Sequence, residues 1–326
     1  MSKAILIHEH GGPEKLTYGD IDVADPGVGE ALVRHTAIGL NFIDVYHRTG
    51  LYPVSGFPAV IGMEGAGVVE AIGDGVSDVS IGDRVAYAGM PIGAYATSRV
   101  MPAAMLVKLP DTISDEQAGA MMLQGMTAQY LIRSTYRIKA GETILLHAAA
   151  GGVGLILSQW AKSLGVSVIG TVGSEEKAAL ARAHGVEHTI LYNDENFTER
   201  VREITNGKGV PVVYDSIGKD TFEGSLDCLS PRGFMVTFGN ASGPVPPFEP
   251  AILSQKGSLY ITRPTLMAYT ATREDLLASA NDLFDVVASG AVKININQRY
   301  PLAEAGQAHR DLEARKTTGS TILLPE

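Results

Sequence analysis

Ile144-Leu145-Leu146-His147-Ala148-Ala149-Ala150-Gly151-Gly152-Val153-Gly154 runs an apolar strand into a glycine-rich turn that opens a helix. A helix N-terminus carries unpaired backbone N–H groups and the positive end of a dipole, so it attracts phosphate. Glycines let the backbone come close to a pyrophosphate with no Cβ in the way. The spacing matches a dinucleotide fingerprint at Gly151 and Gly154, with Ala149 at the first glycine position. The backbone from Ala150 through Gly151, Gly152, Val153 and Gly154 is the candidate cradle.

The surroundings strengthen that reading. Downstream, strands alternate with helices. Strands are expected at 167–172, 189–191, 210–214 and 234–238, with helices at 153–164, 175–184, 197–205 and 221–229. This βαβ succession predicts a doubly wound parallel sheet, and its strands are continuous apolar runs, as buried parallel strands should be. Upstream, to about Leu123, short strands such as 31–37 and 67–72 are punctuated by turns such as Asp25-Pro26-Gly27 and Gly82-Asp83. That pattern reads as a β barrel or sandwich. A long helix at 273–289 and two strand-like ends are expected to return to the β-rich part. The expected division is 1–123 with 269–326 as the β-rich domain, and 124–268 as the dinucleotide-binding domain.

A chain of 326 residues exceeds what one core usually serves. The net charge of −10 argues against a general nucleic-acid binder. A single cysteine, Cys228, excludes an intrachain disulfide and a multi-cysteine metal site. The N-terminal residues 1–8 lack a signal-peptide apolar region, and the apolar stretch at the glycine turn is broken by His147, glycines and Ser158. A cytoplasmic protein with no membrane span is expected.

The second strand tests adenosine recognition, because an acid about twenty residues past the turn would bind the ribose 2′-hydroxyl. Gly173 stands there, followed by Ser174 and Lys177. A missing carboxylate removes repulsion of a 2′-phosphate and a nearby ammonium attracts it, which points to NADPH over NADH. Lys177 also has a blander reading, as a solvated helix residue beside Glu175 and Glu176. Ser174 can donate to the same phosphate. Tyr192 either stacks on adenine or caps a sheet edge. Phe238, Gly239 and Asn240 end a later strand on the side where doubly wound sheets bind ligands. Arg263 either reaches a phosphate or forms a surface salt bridge.

Several further segments act together: Ala37 to Asp44, Leu51-Tyr52-Pro53, Gly62 to Gly67, Gly82-Asp83-Arg84-Val85, and Val213 to Gly218. With the glycine turn they make the chain resemble the medium-chain dehydrogenase/reductases, and within them the zinc-independent quinone oxidoreductases related to zeta-crystallin. The resemblance spans essentially the whole chain. It implies an α/β protein with a GroES-like catalytic domain, a Rossmann domain and a nicotinamide cleft. By this resemblance Asn41 and Met63 occupy positions where zinc alcohol dehydrogenases carry Cys and His ligands. Neither an amide nor a thioether replaces those ligands, so no metal is expected. Nearly all of the eight histidines are expected to be scattered surface or helix-end residues.

Without a Lewis acid, an electron-poor quinone is a better substrate than an aliphatic alcohol. Asn41, Tyr46 and Tyr52 are the candidate donors to the acceptor oxygen, although either tyrosine also reads as a packing residue. The resemblance also suggests nicotinamide-side roles for Asn41, Asp44, Thr127 and Ser216. Asp44 would orient Asn41 or a ribose, or cap a helix. Thr127 is expected to begin a helix beside the nicotinamide. An enone or enoyl-thioester reductase and a non-catalytic NADPH-binding protein are the alternatives. A homodimer is implied, with 234–238 or 258–262 supplying a sheet edge.

Overall fold

The computed structural model describes residues 2–325, so Met1 and Glu326, the ends of the expected β-rich domain, lie outside the described residues. The chain forms two compact units. The first is 1–126 with 269–288 and 294–326; the second is 127–268 with 289–293. The expected boundary at 123/124 falls slightly before the observed one, and 289–293 belongs to the second unit.

In the first unit a seven-stranded sheet carries the site. Strand Glu30–Leu40 lies at its centre, paired antiparallel with Glu64–Ile72 on one side and Ser320–Leu324 on the other. The register sets Gly39 opposite both Glu64 and Ile322, so the chain leaves this strand between a residue from early in the sequence and one from its end. Ile296–Pro301 completes that edge, parallel to Ser320–Leu324. The two strand-like ends thus return to the β-rich unit. Ile5, Val33, Ile38, Leu40, Ile61, Tyr87 and Leu323 fill its core, each large aliphatic contributing about 1.5–3 kcal/mol on burial. Helix α1, Phe42–Thr49, starts one residue after Asn41 and ends at Gly50, whose φ of 84° suits a glycine terminator. Helix α2 is Met122–Tyr130, continued by a π-helical turn at Leu131–Thr135.

The second unit is a six-stranded sheet: β1 (Thr143–Leu146), β2 (Ser167–Val172), β3 (His188–Leu191), β4 (Val210–Asp215), β5 (Leu229–Thr237) and β6 (Tyr260–Thr262). All pairings are parallel, in the spatial order 3-2-1-4-5-6. The order reverses between β1 and β4, which is where doubly wound sheets bind dinucleotides. Helix α3, Gly152–Ser163, follows β1 directly. β5 is an interior strand, so 234–238 supplies no free edge. The edges are β3 and β6.

Candidate active site

Gly151 is the N-cap of α3, with extended backbone (φ −81°, ψ 176°), and Gly151, Gly152 and Val153 are partly exposed. The first N–H groups of α3 therefore meet solvent with no partner earlier in the helix. A Cβ on Gly154 would lie 2.4 Å from the Ala148 carbonyl oxygen, so glycine there lets the helix sit tightly on the turn. Ala149 replaces the usual first glycine without a clash because Gly170 faces it: a Cβ on Gly170 would come 2.6 Å from the Ala149 methyl. Ala148 takes the left-handed strain of the turn, at φ 55°.

The residues expected at the adenosine end lie at the end of β2. A Cβ on Gly173 would sit 2.6 Å from the Tyr192 hydroxyl, so Tyr192 occupies the space an acidic side chain would need. Tyr192 is 38% exposed, which fits a ring available for stacking better than a buried cap. Ser174 is the N-cap of helix Glu175–Ala183 and accepts from the Lys177 N–H at 3.3 Å, while Glu175 pairs with Arg182.

Beside the expected nicotinamide residue Ser216, Asp215 has no exposure. Its Oδ1 accepts from the N–H groups of Ile217 (2.8 Å) and Gly218 (3.1 Å). Its Oδ2 accepts from Thr221 (2.7 Å) and Ser225 (2.9 Å). This fixes the loop that carries Ser216. Ser225 in turn meets His147 Nε2 at 3.0 Å, and His147 Nδ1 meets Thr171 at 2.9 Å. Because Asp215 only accepts, the bonds run Thr171 to His147 to Ser225 to Asp215, with His147 donating from Nε2. Burial lowers the His147 pKa, although Asp215 opposes this. Phe238 donates its N–H to the Asp215 carbonyl at 2.8 Å. Arg263 donates to the Gly239 carbonyl at 3.0 Å and, with the Asn240 amide turned to suit its neighbours, to Asn240 Oδ1 at 3.1 Å. Arg263 therefore braces residues 237–240, a use that neither sequence reading named.

In the first unit the polar cluster centres on Asn41. Its Nδ2 donates to Glu64 at 2.6 Å, its Oδ1 accepts from Gln124 at 3.0 Å, and its backbone N–H donates to Asp44 at 2.9 Å. Glu64 also accepts from the Leu123 N–H at 2.9 Å. Burial pushes the Glu64 carboxyl up to about 8 and that of Asp44 up to about 7; the hydrogen bonds they accept pull the other way. Asp44 has no exposed surface and accepts the Asn41 backbone N–H at the start of α1, the arrangement that orienting Asn41 and capping the helix require.

Tyr46 is 7% exposed and packs edge-on against Tyr52, with ring centroids 5.2 Å apart; Phe42 and His47 extend the cluster. Thr127 does not begin a helix. It lies within α2, one turn before the π-helical stretch, because the helix starts at Met122. Sequence reasoning also missed Gln124, Asp215 and His147 as site-shaping groups. The histidine expectation fails for His35, His147 and His309, which are buried; His47 is buried too but lies in the last turn of α1.

The zinc question turns on donor chemistry. Asn41 offers an amide already committed at both ends, Met63 offers a thioether, and Cys228 lies buried in the second unit's core. Among the described residues no three His, Cys, Asp or Glu side chains form a metal-holding group. This donor set does not fit zinc. The nucleotide cradle does fit a phosphorylated dinucleotide: it has an uncapped helix start, a close-packed glycine and no carboxylate at Gly173.

A six-stranded parallel dinucleotide sheet and a β-rich unit closed by the C-terminal strands together define a medium-chain dehydrogenase/reductase. Family models agree: residues 27–111 match the alcohol dehydrogenase GroES-like domain, and 152–280 match the zinc-binding dehydrogenase domain. A quinone oxidoreductase of Pseudomonas aeruginosa is 59% identical over 325 residues, covering all of both chains. The Escherichia coli quinone oxidoreductase solved in complex with NADPH is 50% identical, with a TM-score of 0.98 over 99% of this chain and 100% of that one. A 2-haloacrylate reductase of Burkholderia sp is 47% identical over the full length of both. The chain belongs to the quinone oxidoreductase family of this superfamily.

Proposed function

We propose that this protein is an NADPH-dependent quinone reductase that works without a metal. The observation that carries the reading is the carboxylate-free end of β2, where the Tyr192 hydroxyl fills the space an acid would need. The P. aeruginosa and E. coli relatives, named as quinone oxidoreductases, support it.

In this reading the N–H groups at Gly151 to Gly154 hold the pyrophosphate, and Ser174, Lys177 and Tyr192 hold the 2′-phosphate end. Ser216, Phe238, Gly239 and Asn240, braced by Asp215 and Arg263, serve the nicotinamide half, with Thr127 on α2. When bound, NADPH supplies the hydride. The chain orients the reactants and excludes water. A quinone needs little more activation, since reduction restores aromaticity. Asn41 keeps a second Nδ2 hydrogen after Glu64 takes the first, and it donates that hydrogen to the acceptor oxygen as charge develops. Tyr46 and Tyr52 bind and polarise the ring. The proton that completes the hydroquinone comes from water.

An activated alkene is the second reading, favoured by the 2-haloacrylate reductase likeness. The protein is further proposed to be a homodimer paired through β6. No helix among the described residues is long and apolar enough to cross a membrane.

The test is an acceptor panel of 1,4-benzoquinone, a linear enone, 2-chloroacrylate and an enoyl thioester, run with NADPH and NADH on protein assayed for zinc. Rapid, zinc-independent quinone turnover with NADPH is expected. Turnover that needs stoichiometric zinc, or a preference for NADH, defeats the reading. Phenylalanine at both Tyr46 and Tyr52 should lower quinone turnover with NADPH affinity nearly unchanged. Undiminished turnover would take the tyrosines out of the chemistry.

A further inference from the structure

Two buried hydrogen-bond chains reach Asn41, and each starts in the last residues of the sequence. In the first, Ser320 donates to Gln124 Oε1 at 2.7 Å, and Gln124 Nε2 donates to Asn41 Oδ1 at 3.0 Å. Asn41 Nδ2 then donates to Glu64. With Glu64 ionised and Gln124 as placed, turning the Asn41 amide over would set its NH2 against the Gln124 NH2 and its oxygen against the carboxylate. Ser320 anchors the far end of Gln124, so the Gln124 NH2 is held against the Asn41 oxygen in this arrangement.

The second chain starts at Glu313, which makes a bidentate pair with Arg48, itself 1% exposed, at 2.8 and 2.9 Å. Arg48 also reaches His309 Nδ1 at 3.0 Å. A guanidinium only donates, so Nδ1 accepts and the ring proton sits on Nε2. That Nε2 meets the Tyr95 hydroxyl at 3.0 Å, and Tyr95 donates to Asp44 Oδ2 at 3.0 Å. Asp44 accepts the Asn41 backbone N–H. The direction of every bond is thereby fixed. Burial and the facing Arg48 charge hold His309 neutral, as the chain requires. The other ionisable groups on this path are Asp44, Glu64 and Glu313.

We propose that Tyr95, His309 and Ser320 are positioning residues that preset the Asn41 amide, so that its remaining Nδ2 hydrogen is aimed before the acceptor arrives. The proposal rests on the role given above to Asn41 as donor to the acceptor oxygen. None of the three need touch substrate. A buried polar group with fully directed partners is rigid, and rigid aim is what a hydrogen-bond donor contributes to a developing charge.

The experiment is a set of double-mutant cycles on the full chain: Tyr95→Phe, Ser320→Ala and Asn41→Ala, singly and in pairs with Asn41→Ala. Three quantities are read: kcat for 1,4-benzoquinone with NADPH, the NADPH dissociation constant, and Tm. Tyr95→Phe should cut kcat about tenfold and Ser320→Ala about threefold, with NADPH affinity within about twofold of the parent. In the Asn41→Ala background neither should lower kcat further, because the group they aim is gone. Losses that multiply in that background would mark Tyr95 and Ser320 as general structural supports and overturn the proposal. So would unchanged kcat in both single variants. An Asn41→Ala protein with parental kcat would instead remove Asn41 from the chemistry, a separate failure. Should Asn41→Ala not fold, Asn41→Ser, a good N-cap, takes its place.

Discussion

A carboxylate at position 173 would need the space now taken by the Tyr192 hydroxyl, and it would repel a phosphorylated ribose. Gly173 was readable as a missing acid. Its partner was not, because Tyr192 follows β3 and meets Gly173 only once β2 and β3 pair. Lys177→Ala should raise the NADPH dissociation constant about tenfold or more, the worth of a charge-assisted hydrogen bond, while NADH binding stays within about twofold. Fluorescence titration with both coenzymes checks this, and equal losses for both would strip Lys177 of its phosphate role. Asp44 shows the opposite case. Its spacing after Asn41 was consistent with three uses, and only the fold shows it fully buried on the Asn41 backbone N–H.

Apolar period and punctuation marked most elements of the second unit, and β1, the glycine turn and α3 fall where that reading put them. Element ends were less legible. β5 extends back to Leu229 rather than starting at Phe234, because pairing with β4 begins at Val210–Leu229 across a bulge. The start of α2 carries no strong cap signal, which is why Thr127 was misplaced. At the sheet edge, Tyr260 of β6 is 54% exposed and stacks on Phe234 at 4.6 Å. An unpaired edge of this kind invites strand pairing, and an edge lysine discourages it. Tyr260→Lys should therefore shift sedimentation from dimer to monomer with NADPH binding retained. A parent that already sediments as a monomer at micromolar concentration refutes pairing through β6.

Across the whole molecule, buried titratable groups tie stability to pH in opposing directions. His35 is held down to about 4 and His309 to about 3, chiefly by burial, from an ordinary 6.5. Between pH 6.5 and about 4 the unfolded chain binds protons that these native rings refuse, so both withdraw stability as pH falls. Asp44 and Glu64, raised by burial to about 7 and about 8, act the other way. Comparing His309→Gln with the parent isolates one ring. The stability difference between them, from urea unfolding, should shrink as pH falls from 6.5 to 4.5, by up to about 1.4 kcal/mol per pH unit. A difference independent of pH would mean that His309 is not buried as the neutral form.

The sequence by itself determined the two-part α/β architecture, the glycine cradle and the loss of the ribose acid, because these rest on local period, turn chemistry and spacing along the chain. It did not disclose the support of Asn41. Glu64, Tyr95, Gln124, His309 and Ser320 lie far apart in sequence, and their pairing arises only when distant segments, among them Glu64–Ile72 and Ser320–Leu324, dock on either side of Glu30–Leu40. Only the tertiary structure could decide that, since burial leaves each of these polar groups to find its partner within the fold rather than in water.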